Sequence, residues 1–175
     1  PTLMAMPANG TLINHFVFMD QSFNLVSYDL TYDADYTNPS LALDASNTIT
    51  NPFNIDPSWS HYEPCHSHHC SMDLSGYQLA IGYPNYEDQK GIVLVYGRSS
   101  GNPIWTVDTS FVGYDISHQF FGNIVRLHTQ GTFLTIANGS LLYSYPSHIH
   151  AYSVLKSYQK GGGSGWTDFG KNIMY

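Results

Sequence analysis

Apolar residues fall along this chain in short runs. LAIG at 79–82, GIVLVYG at 91–97, NIVRLH at 123–128, TFLTIA at 132–137 and HIHAYSVL at 148–155 are rich in β-branched or aromatic residues and bounded by Gly, Pro, Asn or Ser, as strands are. No window of a dozen residues carries a 3.6-residue period. The pattern predicts an all-β fold, with Leu79–Ile81, Val93–Val95, Val125–Leu127, Phe133–Ile136 and Ala151–Val154 as buried strands. Near the start, NGTLINHFVF and FNLVSYDL read as two further strands. From Asp29 to Ser60 the chain is rich in Asp, Asn, Thr and Pro and reads as a long loop with one strand around Leu41–Leu43. YPNYEDQKG reads as a loop carrying Glu87 and Asp88, and GGGSG at 161–165 as a flexible turn.

The strand order repeats. When SGYQLAIG from Ser75 is laid on QGTFLTIA from Gln130, Gly76 falls on Gly131, Leu79-Ala80-Ile81 on Leu134-Thr135-Ile136, and the GIVLVY run on HIHAYS. Each unit closes on a tryptophan, Trp105 or Trp166, and Phe-Gly follows each tryptophan, at Phe121-Gly122 and Phe169-Gly170. The offset grows from 55 at the glycines to 61 at the tryptophans. The order predicts one domain of about three blade-like units, roughly 1–60, 61–118 and 119–175.

Phe-Gly, strand, glycine turn, LAIG-type strand, variable loop, GxVxVY and Trp together resemble the FG-GAP repeat of integrin-like β-propellers, over residues 65–175. The resemblance implies four-stranded antiparallel blades of β-propeller type; a β-sandwich or jelly roll is the alternative fold. Calcium-binding members of that family carry a DxDxDG-like loop, in which oxygen ligands converge on a hard cation. The turns in its place here, DLSG at 73–76 and TQG at 129–131, offer one carboxylate and none, so calcium does not carry over. Asp29, Asp33 and Asp35 in DLTYDADY read as a solvated acidic loop.

Composition narrows the function. The 175-residue chain is 11% charged and 15% aromatic, with a formal net charge of −7. Phosphate neutralisation needs clustered Lys and Arg, so a nucleic-acid partner is not expected, and the same sign disfavours anionic membrane surfaces. No apolar run reaches the ~20 residues that span a bilayer. Two sequons, at Asn9 and Asn138, are candidate glycan sites in a secreted protein. Both are also Asn-Gly pairs, which favour two-residue hairpin turns. The start at Pro1, without an initiator Met, reads as removal of a signal or pro-segment, or as a piece of something longer.

EPCHSHHC, residues 63–70, holds both cysteines and three of the nine histidines. If extended, His66, His68 and Cys70 share one face, and Cys65, Ser67 and His69 the other. Five extended steps separate the cysteine Cα atoms by about 16 Å, whereas a disulfide needs about 4.4–6.8 Å. A regular strand and a Cys65–Cys70 disulfide therefore exclude each other. Secretion favours oxidation and a pinched loop. The rival is a transition-metal site on His66 and His68 with Cys70 as a third ligand, a spacing that His148 and His150 repeat. The third reading is an uncoordinated polar segment.

No Gly-x-Ser-x-Gly elbow, phosphate loop, dinucleotide fingerprint or His-Glu-x-x-His helix is present, and a hydrolytic metal centre would require a base such as Glu63. The expectation is a non-enzymatic extracellular structural or adhesion module that self-assembles or binds protein partners, without a cofactor. A carbohydrate-binding protein and a viral capsid or spike subunit are the alternatives. Three units fall short of the roughly four to eight blades that close a propeller, and open edges invite pairing with another chain. FGKNIMY at 169–175 reads as the first strand of an incomplete blade, and PTLMAM has no evident partner in its own repeat. Pro1, Leu3, Met4, Met6, Phe169, Ile173 and Tyr175 are the candidate assembly residues of a homo-oligomer or homopolymer.

Overall fold

A computed structural model describes residues 3–5, 15–20, 22, 24–32, 35, 37–50, 70–99, 102–113, 120–128, 131–138, 154–161, 165–168 and 173–174. Their strands form three antiparallel sheets that follow one another along the chain. The first contains β1 (Leu3–Ala5), β2 (His15–Met19), β3 (Leu25–Tyr32) and β4 (Pro39–Ile49). The second contains β5 (Ser71–Ser75), β6 (Gln78–Tyr83), β7 (Ile92–Ser99) and β8 (Asn102–Val112). In the third, β9 (Phe121–His128), β10 (Phe133–Asn138), β11 (Val154–Lys160) and β12 (Trp166–Asp168) lie in order, and β13 (Ile173–Met174) also pairs with β11.

The second sheet lies between two hydrophobic cores. Leu79, Ile81, Tyr83, Ile92, Leu94 and Tyr96 pack with Val17, Met19 and Leu25 of the first sheet. Their chain neighbours Ala80, Val93 and Val95 point the other way and pack with Phe121, Val125, Leu127, Leu134, Ile136 and Tyr158 of the third. Successive strand residues face opposite sides, so a strand covered on both sides must be apolar at every position. That is why LAIGY and IVLVY read as unbroken runs, whereas β9 alternates buried and open positions along most of its length.

Several expectations need correction. The stretch after Asp29 is mostly sheet: β3 runs to Tyr32, and β4 is an eleven-residue strand reaching well beyond Leu41–Leu43. Tyr86–Gln89, within the expected loop, makes one helical turn, α1. The first strand of the second sheet begins at Ser71, so Cys70 precedes it. PTLMAM is not without a partner, since Leu3, Met4 and Ala5 pair with Met19, Phe18 and Val17. Nor does the C-terminal segment start a new blade. Ile173 and Met174 pair with Leu155 and Val154 at the edge of the third sheet. Pro1, Met6, Phe169, Tyr175 and Ala151 lie outside the described residues.

Candidate functional site

The two sheet junctions are built alike. At the first, the Arg98 guanidinium, from β7, sits 4.6 Å over the ring of Trp105, from β8. Asn47 of β4 is 1% exposed; its Oδ1 accepts the Trp105 backbone N–H at 3.1 Å, and its Nδ2 donates to Asp44. Burial pushes the Arg98 pKa down, and the charges of Asp29, Tyr77 and Asp44 oppose that shift. At the second junction Lys160, from β11, lies 5.8 Å over Trp166, from β12. Its Nζ meets Asp108 Oδ2 of β8 at 2.7 Å, and the Trp166 indole N–H donates to the same oxygen at 3.0 Å. The Gln78 amide, turned to satisfy both its ends, donates to Asp108 and accepts from Lys160 at 2.9 Å.

Each junction thus joins a cation on a sheet's third strand, a tryptophan on its fourth, and a carboxylate from the fourth strand of the preceding sheet. Desolvation makes such cation–π and ionic contacts stronger than exposed ones. The paired tryptophans were visible in the sequence as repeat markers. The cations seven and six residues before them were the unused signal.

The opposite side of the second junction is closed by backbone. Asp73 Oδ2 accepts the Leu127 N–H at 2.8 Å, and the Ser71 hydroxyl donates to the Gly122 carbonyl at 3.1 Å. A Cβ on Gly82 would fall 1.8 Å from the Gly122 oxygen, and Gly122 itself has φ +88°. Phe-Gly therefore has a structural use here: Phe121, 1% exposed, fills the core while Gly122 lets two backbones touch. The single carboxylate of DLSG, that of Asp73, serves this junction.

Among the described residues the surface carries open concavities. A groove of about 450 Å³ is lined by Gln78, Arg98, Ile104, Thr106, Asp108 and Lys160, among others. A hollow of about 300 Å³ lies on the first sheet, between Phe18, Val26, Tyr28 and Leu41, with Asp20 at its rim. The Asp20 carboxylate also accepts the backbone N–H groups of Ser22 and Asn24.

Of the His/Cys cluster only Cys70 is described. It is disulfide-bonded, and a disulfide sulfur is not the thiolate that a zinc or copper site uses. Cys65, His66, His68 and Glu63 lie outside the described residues, as do His148, His150 and Asn9. Asn138 closes β10. Among the described residues no group of three or more His, Cys, Asp or Glu is placed to hold a metal ion, and no helix is long and apolar enough to cross a membrane. No protein-family model matches the chain, and no curated protein matches it significantly.

Proposed function

We propose that this is a non-enzymatic extracellular structural or adhesion module of propeller-type blades, which works by stacking against further copies or protein partners. The observation that carries the reading is the outer face of the first sheet. Leu41 and Leu43 are each 56% exposed there, next to the half-buried Phe18, Val26 and Tyr28. Contiguous apolar patches on soluble proteins mark interaction surfaces. The charged groups gathered between the sheets point the same way, because Asp108, Lys160 and Arg98 are engaged in holding sheets together. A disulfide at Cys70 suits an oxidising compartment.

Mass photometry of the native protein at nanomolar concentration tests the reading. A discrete multiple of the 19.6 kDa chain mass, or fibres, is expected; a clean monomer there and at micromolar concentration rejects self-assembly. A second reading, glycan binding, rests on the polar groove between Gln78, Thr106 and Asp108. Retention on a glycan array, lost in Asp108→Ala, supports it.

A further inference from the structure

The outer faces of the first and third sheets differ in chemistry. On the first, register and alternation place Phe16, Phe18, Val26, Tyr28, Leu41 and Leu43 on the side away from the second sheet. No charged side chain interrupts that set. On the third, Arg126 and His128 are exposed and stand beside Thr135 and Phe133, with Ile124, 49% exposed, next to Ala137.

The charge of the chain is divided in the same sense. All six Lys and Arg residues lie at or after Lys90, whereas ten of the thirteen Asp and Glu lie at or before Asp88. Among the described residues the acid beside that apolar face is Asp20, while Asp29 and Asp44 stand on the other side near Arg98. Two first sheets face to face would therefore bring two such acids together with no Lys or Arg. A first sheet against a third sheet sets an acid-rimmed apolar face on a face that carries Arg126, and like charges at an interface are costly whereas complementary ones steer association.

Building on the self-assembly reading, we propose that the outer face of the first sheet docks on the outer face of the third sheet of a second copy, head to tail. The contact continues the order of the two internal junctions, in which each sheet receives the next on one side only. Such a heterologous contact closes into a ring or extends as a filament, depending on the rotation it imposes.

The test uses one variant per face, both at exposed positions. Leu43→Lys puts a cation before the Arg126 face, and Arg126→Glu puts an acid before the acidic rim. Sedimentation velocity at micromolar concentration is read for wild type, each variant, and an equimolar mixture, with circular dichroism and urea midpoints confirming unchanged folds. Wild type is expected to assemble, and each variant alone to need at least about tenfold more protein. The mixture is expected to regain assembly, beginning with a species of twice the chain mass, because each variant keeps one intact face and the lysine introduced in one meets the glutamate introduced in the other with opposite charge. Disruption by Leu43→Lys but not by Arg126→Glu would mean that first sheets pair with each other and would overturn the head-to-tail arrangement. Assembly unaffected by both variants would overturn the surface while leaving the functional reading intact, and a wild-type monomer would overturn both.

Discussion

Gly82 and Gly122 show how closely the second and third sheets approach: the space that a side chain would need at Gly82 is occupied by a backbone carbonyl. Gly82→Ala should therefore destabilise by about 3 kcal/mol or more, since the backbone cannot swing aside as a side-chain tip would. The urea midpoint measures it, and a loss under about 1 kcal/mol would contradict the contact. Tyr96 makes a different point. Its hydroxyl is buried and has no hydrogen-bond partner among the described residues, and burial pushes its pKa up to about 12; Tyr83 is raised too, by burial first and by Tyr96 second. The folded state thus favours the neutral phenols. Their contribution is full below the unfolded value of about 10 and is lost as pH rises through the folded value. For Tyr96 stability should fall between about pH 10 and 12, by on the order of 1 kcal/mol per pH unit, and Tyr83 should act in the same direction. In Tyr96→Phe the fall should be shallower, with a neutral-pH stability unchanged or up to about 1 kcal/mol higher. Equal alkaline sensitivity in the variant would exclude Tyr96 as a source.

At the scale of elements, β2, β3, β9 and β10 were legible as short apolar runs, and the strands buried on both faces were the plainest. LAIGY and IVLVY announce themselves because neither side of β6 or β7 meets water. β4 does not, although no strand among the described residues is longer. Its sequence, PSLALDASNTI, combines exposed Leu41 and Leu43 with Asp44 and Asn47, residues that ordinarily mark turns. Their polarity is used instead at Trp105 and Arg98, on another sheet and far along the chain, where no local pattern reports it. The same holds for the junction residues. Trp105 and Trp166 were visible as punctuation, but the cation beneath each and the carboxylate opposite required the sheets to be stacked first. Asp108→Ala would leave the Trp166 indole N–H and Lys160 without their shared acceptor, at about 1–3 kcal/mol. In a Lys160→Met background the same substitution should cost less, and a double-mutant cycle reads the difference. Strict additivity would show that the pair contributes nothing to the junction.

Across the whole molecule, protection from solvent is greatest in the middle. Amides of Leu79–Tyr83 and Val93–Tyr96 should exchange hydrogen most slowly, near the global unfolding limit, because opening them disturbs both cores. Those of β4 and β12, at sheet edges, should exchange earlier, and a uniform pattern would argue against the stacked arrangement. The two cores have a consequence for how the molecule comes apart. They share no residue, so the sheets resemble dominoes in a row, coupled only through their neighbours, as the units of a solenoid are. In such a row the end pieces have one neighbour and fray first, while each added piece turns an end into an interior. Melting should then track the number of sheets in the row: a stacked copy would raise the melting temperature of its neighbour's terminal sheet without altering one bond inside it.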